Sequence, residues 1–403
     1  MEKVELLAPA GSLAKLKIAI TYGADAVYIG GEEFSLRAAA ENFSYDEMEE
    51  GIAFAHERGK KVYVALNIVP RSADLCRISD YAKKLYELGA DAVIVSDLGT
   101  FDIIREAAPE LDIHISTQAN TVNYHTAKVW HRMGASRVVL ARELTFEEIA
   151  EIRRELPDTC EIEAFVHGAM CISYSGRCLM SNYLTSREGN RGECAQPCRW
   201  KYFLMEEKRP GQFMPIEQNQ KGTFIFNSKD MCMIEHVPRL IECGIKSFKI
   251  EGRVKSEYYV ATVVKAYREA IDAYYEGKPF DNRWIEEVCK VSHREYSEGF
   301  YFGKPEQIYT YGSYVRDYDI VGMVLDYKDG IATIEQRNRF YKGETVEFLP
   351  PVGEYFTHEV AYMENAEGEE IEVAPHPQMI IKMPVGREVS RDTIMRKKVG
   401  DRK

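Results

Sequence analysis

Across its first 270 residues the chain repeats one pattern: a short β-branched run, a turn, then an amphipathic helical stretch. The strand candidates are VELLAP (4–9), ADAVYIG (24–30), KVYVALN (61–67), ADAVIVS (90–96), DIHIST (112–117), SRVVLAR (136–142), EIEAFVH (161–167) and KSFKIEG (246–252). The segments between them carry helical periodicity, as in DYAKKLYELG (80–89), FEEIAEIRRE (146–155) and IEHVPRLIECG (234–244). Gly23, Gly89, Gly134 and Gly244 stand just before the next strand, where a left-handed residue lets a helix end and the chain turn back. Near-continuously apolar strands alternating with helices mean a parallel sheet covered on both faces. Eight such units predict an α/β fold of the closed (β/α)8 TIM-like barrel type rather than an open doubly wound sheet. A dinucleotide-binding reading would need G-x-G-x-x-G after the first strand, and the first turn here is APAGS.

Two segments break the repeat. Residues 168–231 are too long for a βα loop and hold a cysteine-bearing insertion after strand seven, at the barrel end where such enzymes place their active sites. Within it, WKYFLMEE (200–207) and GTFIFNSK (222–229) read as two arms of a hairpin. After about residue 305 period-2 alternation takes over, in YDIVGMVLDY, GIATIEQRN, ETVEFLPP and QMIIKMPV, and predicts a small antiparallel β-barrel. The expected domains are 1–305 and 306–403, with 277–305 joining them.

The opening MEKVELLAPAGS goes straight into strand-like sequence and lacks the regions of a signal peptide, and no stretch approaches the roughly 20 apolar residues of a membrane span. The expected location is the cytoplasm, where thiols stay reduced. A net charge of −12 argues against a broad surface coating nucleic acid. Positive charge is local: Arg177, Arg187, Arg191, Arg199 and Lys201 surround the cysteines.

Cys171, Cys178, Cys194 and Cys198 fall within twenty-eight positions, and Cys232 follows in NSKDMC. Thiolates gathered this densely point to zinc or an iron–sulfur centre. Zinc sites favour paired C-x2–4-C knuckles, which the wide first pair does not supply, whereas the irregular spacing suits a [4Fe–4S] cluster seated in a folded pocket. Four of the five would serve: Cys171, Cys178 and Cys194, with either Cys198 or Cys232. Cys232 is expected at the start of a helix below the barrel mouth, where the helix dipole favours thiolate. Cys76, Cys160, Cys243 and Cys289 are scattered and read as small buried hydrophobes.

Polar residues at the expected strand ends are candidates for substrate contacts: Asn67, Asp97, the run Ser116–Thr117–Gln118, Arg142, Glu143, His167, Glu251 and Arg253. Glu163 alternates with Phe165 and His167, which predicts all three on one face. Glu163 and His167 then form either an acid/base pair or a buried hydrogen-bonded pair. Arg253 can fork onto a carboxylate ligand. No G-x-S-x-G elbow, H-E-x-x-H or P-loop is present. A nucleophile pair of Cys171 with His167 is excluded if Cys171 is given to a metal.

At EAFVHGAMCISYSGRCLMSNYLTSREGNRGECAQPCRW, with NSKDMC and FKIEGR downstream and LLAPAGS, ADAVYIGG and STQANTVN upstream, the chain resembles peptidase family U-32, the collagenase-like proteases. The resemblance spans essentially the whole chain, including the C-terminal β-barrel of the longer members. It implies a [4Fe–4S] protein of the kind that hydroxylates RNA bases or the ubiquinone ring. The ligands would be Cys171, Cys178, Cys194 and Cys232, with Cys198 the alternative used by a related variant. For members of this architecture it further implies hydroxylation of wobble uridine in tRNA to 5-hydroxyuridine, with prephenate as co-substrate. Arg191 and Arg199 would hold the RNA backbone while an unpaired base enters the pocket. A paralogous subunit is a further expected partner. The alternatives are a peptidase, as the family is named, and a non-catalytic iron–sulfur partner that binds RNA.

Overall fold

The structure is a computed structural model and describes residues 3–35, 42–171, 173–174, 178–187, 189, 193–200, 203–205, 213–215, 229–303 and 314–399. The first seven strands are β1 (Glu5–Pro9), β2 (Ala26–Ile29), β3 (Lys61–Leu66), β4 (Ala92–Val95), β5 (Asp112–Ile115), β6 (Arg137–Val139) and β7 (Glu161–Ala169). The insertion then contributes β8 (Phe203–Met205), β9 (Phe213–Pro215) and β10 (Asp230–Cys232). Next, β11 (Ser247–Ile250) closes the ring by pairing in parallel with both β7 and β1. All eight sequence-predicted barrel strands are present, and the fold is the expected TIM-like barrel.

The helices between barrel strands are α1 (Leu13–Thr21), α2 (Tyr45–His56), α3 (Ser72–Glu87), α4 (Leu98–Ala107), α5 (Tyr124–Arg132) and α6 (Phe146–Glu155). After β7 come α7 (Met180–Thr185) in the insertion, α8 (Val237–Glu242), α9 (Glu257–Tyr275) and α10 (Arg283–Cys289). Their starts follow from short polar side chains. Ser44 and Thr145 form capping boxes with Glu47 and Glu148 at the heads of α2 and α6. Asp97, expected at the substrate site, instead caps α4 by accepting from the Thr100 N–H at 2.9 Å. The outward faces of the strands pack Leu6, Val27, Val62, Val64, Val93, Ile113, Val138, Ile162 and Phe248 against the helices, all fully buried. Each such side chain contributes about 1.5–3 kcal/mol, which holds the ring closed.

The pairing of β7 with β11 contains an irregularity that shapes the site. Lys249 lies opposite Phe165, but the next residue, Ile250, lies opposite His167. One extra β7 residue, a β-bulge, breaks the alternation expected from Glu163 through His167.

β12 (Tyr296–Ser297) pairs with β10. The C-terminal strands are β13 (Tyr318–Lys328), β14 (Ile331–Gln336), β15 (Phe340–Tyr341), β16 (Thr345–Leu349), β17 (Phe356–Glu359), β18 (Val373–Ala374), β19 (Ile380–Pro384) and β20 (Ile394–Lys398). Six of them form an antiparallel sheet in the order β17-β16-β20-β13-β14-β19, and β15 pairs with β18. This unit has its own apolar core, including Val321, Val324, Phe340, Phe348 and Met395. It is tied to the barrel by Tyr22, whose hydroxyl reaches the Leu349 and Asp392 carbonyls at 2.8 and 2.9 Å. The buried Arg396 adds a fork onto Glu287 at 2.8 and 2.9 Å and a bond to Glu347 at 3.0 Å. In the insertion, β8 pairs with β9. The hairpin arm expected at 222–229 lies outside the described residues apart from Lys229.

Candidate active site at the mouth of the barrel

A cavity of about 360 Å³ opens at the C-terminal ends of the barrel strands, roofed by the insertion. Tyr28, Ala65, Ile94 and Phe165 form its apolar floor, and Asn67, Ser116, Thr117, Gln118, Arg142, Lys249, Glu251, Arg253 and Lys255 supply polar groups. Of the expected substrate contacts, Asn67, Gln118, Arg142 and Glu251 therefore meet in one cavity. Asn67 bonds Ser116 Oγ at 3.4 Å, and the same oxygen accepts from the Gln118 N–H at 3.2 Å. Arg142 is held over the Phe165 ring, 4.6 Å from its centroid, and donates to the Ala169 carbonyl at 2.9 Å. Arg191 lies outside the described residues; Arg199 ends the short 3-10 turn Pro197–Arg199.

Arg253 also lines the cavity and is buried, with Nη1 on Ser35 Oγ at 2.7 Å and Nη2 on Asn42 Oδ1 at 3.0 Å. Its fork clamps the chain after β2. The close fit explains two short motifs. A Cβ on Gly30, in the YIGG turn, would overlap the Arg253 guanidinium, and a Cβ on Gly11, in APAGS, would overlap the Arg253 carbonyl.

Glu163 faces the barrel interior and is fully buried, bonded to Lys249 Nζ at 2.6 Å and Arg137 Nη1 at 3.1 Å. Arg137 continues to Glu5 at 2.6 Å and to Glu161. Glu5 in turn accepts from Tyr63 at 2.6 Å and Ser247 at 2.8 Å. A chain of alternating charge thus runs through the barrel from its lower end to the cavity floor at Lys249. His167 is not part of it. Past the bulge, its ring lies among Tyr259 and Tyr267 of α9 and Tyr296, with the latter two hydroxyls 3.4 Å from its nitrogens. Burial pushes its pKa down to about 3, so the imidazole is neutral, and it does not lie among the residues of the mouth. The structure brings neither Glu163 nor Cys171 to it.

Lys249, Arg137 and Lys255 were not singled out in the sequence. The signal for Lys249 is the polar alternation Ser247, Lys249 in β11, continued by Glu251 just after it, and Glu161, Glu163 in β7, on a face where a barrel normally places apolar layers.

The residues do not fit the expected [4Fe–4S] cluster. Among the described residues, no three His, Cys, Asp or Glu side chains gather so as to hold a metal ion. Cys171, Cys178, Cys194 and Cys198 do line the mouth, but Cys232 does not. It ends strand β10, opposite His167, rather than starting a helix. Burial pushes its thiol up to about 12, and it shares a hydrogen bond with Tyr267. The cluster, its Cys198 variant and structural zinc are corrected on this geometry. The iron–sulfur hydroxylation of wobble uridine, with prephenate as co-substrate, is corrected with them.

Two family models match the chain: peptidase family U32 over residues 11–310, and the peptidase family U32 C-terminal domain over 316–396. The chain is 42% identical over 404 residues to tRNA hydroxylation protein P1 of Bacillus subtilis, covering 98% of this chain and 95% of that one. It is 41% identical to tRNA hydroxylation protein P of Escherichia coli, covering 96% and 95%. An uncharacterized protease of Methanocaldococcus jannaschii is 45% identical over 307 residues, covering 75% and 74%. The resemblance read from the cysteine segment and the strand-end motifs is thereby met along the whole chain, which belongs to peptidase family U32.

Proposed function

We propose that the chain is a hydrolytic enzyme of the peptidase U32 type, acting at the barrel mouth on a substrate that carries an anionic group. The observation that carries this reading is the charge of the cavity. Arg142, Arg253 and Lys255 line it, with Lys249 paired from below by Glu163, against the single lining carboxylate of Glu251 among its described residues, in a chain whose net charge is −12. Cations concentrated in a concave, partly dry site hold an anion far better than the same charges on an open surface. In hydrolysis of an amide or ester they would also stabilise the oxyanion that forms when the carbonyl is attacked. The nucleophile is water or one of the mouth thiols, of which Cys171 and Cys194 are exposed. Among the described residues no cysteine is disulfide-bonded, which supports a reducing, cytoplasmic setting.

The test is cleavage of a peptide library read by mass spectrometry, with wild type, Arg142→Ala and Cys171→Ser. The reading expects new termini from acidic peptides, reduced about tenfold or more by Arg142→Ala. Absence of cleavage across the library contradicts it.

The names of the B. subtilis and E. coli relatives favour a second reading for the partner: tRNA. Exposed rings at Tyr174, Tyr183, Trp200 and Tyr314 stand on the insertion and the chain near the mouth, and bases stack on such rings beside cations. A gel-shift titration with bulk tRNA tests it. Tyr183, 80% exposed, is the ring whose replacement by Ala should weaken binding without unfolding the protein.

A further inference from the structure

Lys249 is the one cation of the mouth that belongs to the barrel's interior chain of charge. Its side chain is nine-tenths or more buried, yet it lines the cavity. The ammonium lies 2.6 Å from Glu163 Oε1, 4.5 Å from the centroid of Tyr28 and 5.6 Å from that of Phe165. Glu163, on β7, is held in turn by Arg137 from β6, which is anchored by Glu5 from β1. His114, on β5, is buried beside the same group and is kept neutral by burial and by the charges of Arg137 and Lys249. Three more cations, Arg142, Arg253 and Lys255, share the cavity.

Aromatic walls and like charges nearby destabilise the Lys249 ammonium, while the Glu163 carboxylate, which by itself favours the charged form, is the base placed to take its proton. We propose that Lys249 is a carbonyl-reactive amine, and that the mouth takes an aldehyde or ketone bearing a carboxylate or phosphate. Glu163 accepts a proton from the Lys249 ammonium. The amine nitrogen bonds to the carbonyl carbon, and a proton passes from nitrogen to the former carbonyl oxygen. Glu163 returns its proton to that hydroxyl, which leaves as water, and the C=N bond of an iminium remains. One carbonyl oxygen departs as water and no oxidant or reductant is consumed. Arg142 and Lys255, which also donate to the Ala169 and Ser292 carbonyls at 2.9 and 3.1 Å, hold the anionic group. Arg253, already engaged by Ser35 and Asn42, adds charge from a fixed position. Burial also pushes the Lys249 pKa below the ordinary lysine value, in the direction this chemistry needs. The inference rests on the mouth as an anion site and is independent of which bond the enzyme cleaves.

The probe is pyridoxal 5′-phosphate, which carries both an aldehyde and a phosphate. The full-length protein is incubated with it, treated with borohydride, digested and mapped by mass spectrometry. The reduced adduct should form on Lys249 about tenfold faster than on exposed lysines such as Lys278, and inorganic phosphate should slow it. Lys249→Arg keeps the ion pair with Glu163 but has no amine to react. It should lose this adduct while still retaining the probe in a phosphate-displaceable manner, and its thermal melt should show that it folds. Phosphate-displaceable retention by wild type with no adduct on Lys249 overturns the amine and leaves the anion site standing. Adducts confined to exposed lysines, with no retention, overturn both.

Discussion

Glu163 carries two ion pairs at zero exposure, and the cost of removing it is set by what it would leave behind. Glu163→Ala strands Lys249 without its carboxylate and takes one partner from Arg137 inside the barrel. Breaking a buried pair from one side costs about 3–5 kcal/mol, so urea unfolding should show a loss of that size. Glu163→Gln, which keeps hydrogen-bonding capacity, should lose less. Equal stability of Glu163→Ala and wild type would mean the pair is not formed. Glu163 stood out in the sequence because a carboxylate at an inward strand position is unusual, but its partners did not. Nothing in linear order places Lys249, 86 positions away, against it; only closure of the ring does.

The strands and their order were legible because each is a β-branched run bounded by turn residues and followed by a capped helix. What was lost lies where one element departs from its period. In β7 the extra residue opposite the Lys249–Ile250 step turns His167 away from Glu163 and toward α9. No composition signal marks a bulge of this kind. Cys232 is expected at the start of a helix, but Asp230–Cys232 pair with β7, a long-range contact that local propensity does not encode.

The new position of His167 predicts a pH dependence. Its folded pKa is lowered to about 3, against about 6.5 in the unfolded chain. Between these values the unfolded state binds the extra proton, so this histidine's contribution to stability is present above pH 6.5 and is lost as pH falls toward 3. His167→Gln should therefore flatten the decline in stability between about pH 6.5 and pH 5. An unchanged slope would show that the imidazole is not kept neutral by the fold.

At the scale of the molecule, the barrel and the C-terminal sheet are joined by buried polar contacts. Arg396 on β20 bonds Glu287 on α10 and Glu347 on β16, and Lys290 reaches both carboxylates at 2.7 and 3.0 Å. Removing the guanidinium leaves two carboxylates sharing one lysine. Arg396→Ala should cost about 3 kcal/mol or more and separate the melting of the two units in calorimetry. A single transition at the wild-type midpoint would contradict that coupling. Among the described residues no helix is long and apolar enough to cross a membrane. The switch from helical to alternating periodicity near residue 305 announced a second unit. The charged seam between the units could not be read in advance, because Glu287, Glu347 and Arg396 each look like ordinary surface charges in sequence.

The central claim is that a net acidic chain concentrates positive charge at the barrel mouth to take an anionic substrate. It is tested most directly by calorimetric titration of the wild-type protein and Arg142→Ala with two peptides of equal length. One peptide is acidic with a terminal carboxylate, and the other is neutral and amidated. The account predicts that the acidic peptide binds, that binding weakens with added salt, and that Arg142→Ala reduces it about tenfold or more. Equal binding of both peptides, unaffected by the substitution, would contradict it.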